Sequence, residues 1–100
     1  MVYQVEVTVC SGEICERTSI SEQDLAEIVN HGIVRPQDMH ADEWRFAEVV
    51  VVEVARAARL RHDLEMDWPG VALALQLLAE VEQLRAENAT LRRRLERFDG

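Results

Sequence analysis

Seven positions near the C-terminus, Leu77, Val81, Leu84, Asn88, Leu91, Leu95 and Phe98, follow one another at alternating steps of four and three. That spacing is the heptad repeat of a coiled coil, and it commits the last third of the chain to one long helix. Asp67 supplies the N-cap, and Trp68-Pro69 falls in the first turn, where a proline breaks no intrahelical bond. No breaker follows before Gly100. A helix of about 30 residues is roughly 45 Å long.

With Val81 at heptad position a, Leu84 and Leu91 fall at d, and Asn88 and Leu95 at a. A single Asn at a sets register and costs stability. Glu80 and Glu87 fall at g, Arg85 and Arg92 at e, where they bridge helices in a parallel pair. The 66 residues before this helix are too few to carry it along their own surface, so Leu77 to Phe98 is predicted to join two copies into a homodimer. The run Val71 to Ala79 is apolar almost all round, which predicts cover on more than one side.

Residues 1–66 read as a small, mostly helical head, and the 100 residues as one structural domain. Val5, Val7 and Val9 alternate with polar residues, the period of a half-buried strand. Ser11 reads as the N-cap of a short helix over Glu13–Thr18. Ser21 caps a second helix, Asp24 takes the capping-box position, Leu25, Ile28 and Val29 form its buried stripe, and Gly32 ends it. Trp44-Arg45-Phe46 reads as a short strand or turn arm. The run Val49–Val52 has strand composition, but Phe46, Val50, Val54, Ala57, Leu60 and Leu64 continue at steps of four and three and predict a helix across 46–64.

The charge is lopsided. Residues 1–53 hold 11 acids and three bases (Arg17, Arg35, Arg45), whereas residues 54–100 hold eight of each, and the formal net charge is −8. All the bases are Arg. Such a molecule is a poor partner for nucleic acid and a good one for a basic protein surface. No apolar run approaches the roughly 18 residues of a membrane span, and the opening Met1–Glu6 lacks the basic region of a signal peptide. Two cysteines are too few for a disulfide framework, so the cytoplasm is the expected compartment. Cys15 faces the core of the first helix and reads as a structural thiol. His31, His40 and His62 are scattered, Asp63, Glu65 and Asp67 lack calcium-loop spacing, and the four glycines are isolated. No metal site, cofactor loop or catalytic constellation is expected, and the chain reads as a binding protein, not an enzyme.

Gly12 to Thr18, Ile20-Ser21, Leu25 and Gly32-Ile33-Val34-Arg35-Pro36 resemble the helix-turn-helix of MerR-type regulators. The Trp44-Arg45-Phe46 arm and the long terminal helix continue the resemblance, which implies a mainly α, winged helix-turn-helix fold with a coiled-coil dimer helix. The family's recognition helix carries Arg-Tyr-Tyr where this chain has Ala26, Glu27 and Ile28, with Glu22 and Asp24 just before. Carboxylates there repel phosphate. A closer resemblance, to the CbpM family of chaperone modulators, rests on Arg59-Leu60-Arg61-His62-Asp63-Leu64 with Asp67-Trp68-Pro69-Gly70. Ile20-Ser21-Glu22, Glu27-Ile28-Val29, Glu87-Asn88 and Leu91-Arg92-Arg93-Arg94-Leu95 extend it.

That resemblance implies an inhibitor of CbpA, a DnaJ-type co-chaperone that also binds DNA. The inhibitor binds the basic helix of the CbpA J-domain and denies it to DnaK. Charge and helix facing then put the contact on Glu22, Asp24 and Glu27, joined by Glu13 and Glu16. The second reading is a MerR-type DNA-binding regulator. Asn88 and its Glu/Arg flanks point to a parallel dimer, resemblance to MerR dimers implies an antiparallel one, and both orientations stay open.

Overall fold

The structure, a computed structural model, describes residues 7–99. Strand β1 (Thr8–Cys10) pairs antiparallel with β2 (Arg45–Ala47), with Thr8 opposite Ala47, Val9 opposite Phe46 and Cys10 opposite Arg45. Val9 and Phe46 face the core as a buried pair. On the outer face Arg45 lies across the ribbon, its Nε and Nη2 donating to Thr8 Oγ1 at 3.1 and 2.9 Å. The alternation expected over Val5, Val7 and Val9 is shorter than predicted. Among the described residues pairing begins at Thr8, opposite Ala47, so Val7 precedes the strand and is exposed, while Val5 lies outside the described residues.

Helix α1 (Ser11–Thr18) starts directly where β1 stops. Cys10, still extended at φ −88° and ψ 166°, occupies the N-cap position and makes no side-chain cap. Ser11 is therefore the first helical residue and not the cap, because the strand holds the preceding backbone extended. Left-handed Ser19 ends α1, and Ser21 opens α2 (Glu22–Asn30) by accepting the Asp24 N–H on its Oγ at 3.0 Å. Two backbone bonds close α2, Gly32 N–H to Val29 O and Ile33 N–H to Ile28 O, both 3.0 Å. With Gly32 at φ +74° this is a Schellman stop. Leu25, Ile28 and Val29 are buried, as their spacing predicts.

Helix α3 (Val50–Leu64) buries Val50, Val51, Val54 and Ala57 and ends at left-handed Glu65. Phe46 belongs to β2 and not to this helix. The chain turns between Ala47 and Val49, and a core-facing strand residue there falls in phase with the helical stripe by coincidence. Asp67 Oδ1 then accepts the Gly70 N–H at 2.9 Å and opens α4 (Trp68–Asp99), 32 residues or about 48 Å.

One core holds the head together: Val9, Ile14, Leu25, Ile28, Val34, Phe46, Val54, Trp68 and Val71 are among its buried members. Among the described residues none beyond Val71 is buried, and Leu75 is the last to pack on the core. The cover predicted around Val71–Ala79 is not supplied in full by the described residues, since Leu73, Leu77 and Leu78 stay exposed. Helices α2 and α3 pack on the start of α4, and α3 reaches further along it through Arg56, whose Nη2 lies 3.7 Å from Glu82 Oε1. The radius of gyration, 18.0 Å, exceeds the roughly 13 Å of a compact 100-residue domain because α4 projects.

Candidate partner-binding face

The helix-turn-helix places α2 where a recognition helix would present its side chains. Of the three positions that resemble the DNA-reading triplet, Ile28 is fully buried and Glu27 faces His31 across one turn, Oε2 to Nε2 at 3.2 Å. Two of the three bases of the first half are occupied as well. Arg17 Nη1 donates to Glu48 Oε1 at 2.9 Å and lies 4.0 Å from Glu13, and Arg45 is spent on Thr8. Arg35 alone of the three has no partner among the described residues.

The structure gives the five candidate carboxylates different surroundings. Glu22 stands exposed on the rim of an open groove of about 600 Å³, beside Cys10, Ser11 and Gly12 at the β1–α1 junction. Asp42 and Glu43 stand on the same groove, with Leu25 and Trp44 as its apolar lining. Trp44 is set edge-on against Phe46 at 6.2 Å between ring centres, which ties the groove wall to the core. Three acids around an apolar floor suit a Lys or Arg, whose aliphatic stem lies on the floor while its charge meets the rim. Asp42 and Glu43 escape sequence reasoning, although their position directly before the Trp44-Arg45-Phe46 arm is a signal for them.

Asp24 faces the other way. Its Oδ1 accepts the Trp68 indole N–H at 3.2 Å, its Oδ2 lies 3.9 Å from Arg61 Nη1, and the Arg61 guanidinium sits 4.8 Å over the Trp68 ring. This Asp24–Arg61–Trp68 cluster locks α2, α3 and α4 together at the root of the long helix. Glu13 is held in the Arg17–Glu48 bridge, whereas Glu16 is exposed and free of ion pairs among the described residues. Cys15 lies half-buried against the core, and burial first, then the charges of Glu22 and Asp24, push its thiol above the ordinary value. It is held protonated, which makes it a poor nucleophile. No group of three His, Cys, Asp or Glu among the described residues is placed to hold a metal ion.

The second candidate surface is the seam on α4. Leu77, Leu84, Leu91, Leu95 and Phe98 are more than half exposed, Val81 and Asn88 are exposed with them, and no other described element covers them. No described helix is long and apolar enough to cross a membrane.

Comparison with known proteins agrees with this architecture. The model of the MerR HTH family regulatory proteins matches residues 9–93. The chaperone modulatory protein CbpM of Escherichia coli strain K12 / DH10B is 46% identical over 94 residues, which cover 94% of this chain and 93% of the relative. The chaperone modulatory protein CbpM of Shigella boydii serotype 18 matches with the same identity and coverage. These relatives are named for modulation and regulation, not for a reaction. With a helix-turn-helix whose outward helix is acidic, and with this degree of identity along nearly its whole length, the chain belongs to the CbpM chaperone modulators within the MerR helix-turn-helix family.

Proposed function

We propose that this chain modulates a chaperone by binding the J-domain of a DnaJ-type co-chaperone of the CbpA kind, so that the J-domain's basic helix is covered and DnaK has no access to it. The same contact withholds the co-chaperone from DNA. The chain has no reaction of its own, works in the cytoplasm and acts as a homodimer joined through α4. The observation that carries this reading is the acidic groove beside α2, with Glu22, Asp42 and Glu43 around Leu25 and Trp44. Glu22 is the central contact, Glu13, Glu16 and Glu27 widen the negative field on either side, and Asp24 holds α2 in place through Trp68.

Calorimetric titration with the purified CbpA J-domain tests it, at moderate salt and again with excess DNA. The expected result is one J-domain per subunit, unaffected by DNA. Glu22→Lys is expected to weaken binding at least about tenfold, because a like charge then meets the basic helix. Absence of heat, together with retardation of a DNA fragment, would establish the DNA-binding regulator in its place.

A further inference from the structure

A second open groove, of about 530 Å³, lies on the other flank of the α2 N-terminus. Glu22 and Leu25 line the acidic groove, whereas Ser21 and Asp24 line this one. Each pair is an i, i+3 stripe, and the stripes are one residue out of step, so the grooves open about 100° apart around the same first turn. Ile20, Met66 and Trp68 are the apolar part of the second groove, and Arg61 of α3 lines it as its guanidinium.

Arg61 is fixed in place yet keeps its donors. Its guanidinium sits 4.8 Å over the Trp68 ring, and Asp24 Oδ2 is 3.9 Å from Nη1, beyond hydrogen-bond reach. Among the described residues the guanidinium donates no hydrogen bond, and the side chain is half-exposed. A fork already stacked on an indole ring loses little further freedom when a ligand takes up its N–H groups. The Ser21 oxygen accepts the Asp24 N–H, which leaves its hydroxyl proton to give, and the Ser19 hydroxyl has no partner among the described residues. N–H and O–H donors thus meet in one groove beside apolar side chains. A planar carboxylate fits the guanidinium fork through two parallel bonds. A phosphate brings more negative charge, which Asp24 and Glu65 on the same groove oppose.

We propose that this second groove takes a carboxylate side chain of the same partner protein whose base occupies the acidic groove, and that Arg61 binds it. The proposal rests on the J-domain reading above and deepens it to a two-point contact, a base on one flank of α2 and an acid on the other. A helix is about 10 Å across, so a partner helix seated against Glu22 overhangs the first turn of α2 and brings its neighbouring residues to the second groove. The two points are opposite in sign, which fixes the way round that the partner sits. Reversal would set its base against Arg61 and its acid against Glu22, Asp42 and Glu43. A surface that is merely basic satisfies one groove and leaves the other empty, so Arg61 adds selectivity to the attraction that the acidic head supplies.

Calorimetric titration with the CbpA J-domain tests this, using Arg61→Gln and Arg61→Lys chains whose helical circular dichroism matches the parent. Arg61→Gln is expected to weaken binding about tenfold, and Arg61→Lys, which keeps the charge without the fork, to weaken it less. Changing the Asp and Glu residues of the J-domain singly to their amides is expected to reveal one that costs the parent chain about tenfold and costs Arg61→Gln nothing further. The same cycle run on Arg61→Lys holds the test even if Arg61→Gln unfolds the head. Glu65→Gln is expected to tighten binding about twofold by removing a like charge. Equal affinity of the parent and Arg61→Gln, with Glu22→Lys still weakening binding, would overturn the second contact and leave the J-domain reading standing. A loss in Arg61→Gln that no amide change in the J-domain shares would overturn it too, because Arg61 would then act only as a lock between helices. Tighter binding by Arg61→Gln and weaker binding by Glu65→Gln would put a partner base in the groove and overturn the carboxylate. No heat with the parent chain would overturn the J-domain reading, and the second contact with it.

Discussion

Trp68 sits where three helices meet, and its indole N–H is donated to Asp24 Oδ1 at 3.2 Å. With Trp68 95% buried, an indole N–H deprived of its acceptor has little water to turn to. Asp24→Ala is expected to destabilise the head by about 1–3 kcal/mol, the cost of leaving a buried donor unsatisfied. Asp24→Asn keeps an acceptor oxygen and gives up only the attraction to half-exposed Arg61, a pair worth less than about 1 kcal/mol. Urea denaturation of the two variants measures the difference, and equal losses would mean that charge, not the indole bond, is what Asp24 contributes. The distinction bears on function, because a Lys at position 24 would weaken partner binding by loosening α2 even if Asp24 never touched the partner.

At the scale of elements, α2 shows how a sharp stop is written into a short sequence. Gly32 at φ +74° lets Ile33 turn back so that its N–H reaches Ile28 O. A Cβ at Gly32 meets no atom within 4 Å, so Gly32→Ala isolates the backbone term. It is expected to cost about 1–2 kcal/mol in urea denaturation with no change in partner binding. This stop is legible in the sequence, as are the Ser21 and Asp67 caps and the helical nature of Val50–Val52, because each is set by residues near one another in the chain; Val49 stays outside the helix as its N-cap. The errors lie where elements meet. Phe46 fitted the α3 period while belonging to a strand, and Ser11 lost its capping role to the strand end at Cys10. The groove is legible only at Glu22. Asp42 and Glu43 are about 20 residues from Glu22 in sequence, and only the β1–β2 pairing brings the 42–44 segment beside α2. The repeat on α4 is visible in the sequence, yet a repeat does not say what covers it, and its exposure in the single chain is a tertiary fact.

At the scale of the whole molecule, charge and shape are segregated together. The net −8 belongs to residues 1–53, of which the described ones, 7–53, lie in the head, while the projecting helix ends in Arg92, Arg93, Arg94 and Arg97. A basic partner approaching from any direction is drawn to the head and turned away from the tip of α4, so the field selects the end of the molecule before any contact forms. The Debye length is about 10 Å at 0.1 M salt, so this steering acts over one or two helix diameters and fades as salt rises. If the proposed function holds, association of the J-domain slows about tenfold between low and physiological ionic strength, while dissociation changes much less, because the apolar lining of the groove is indifferent to salt. Stopped-flow mixing over a salt series measures both rates. Charge reversal at Glu16, Glu22 and Asp42 together is expected to flatten the salt dependence of association. An association rate that ignores salt in the parent protein would place the partner on an apolar surface, and the exposed seam of α4 would then be the surface to examine.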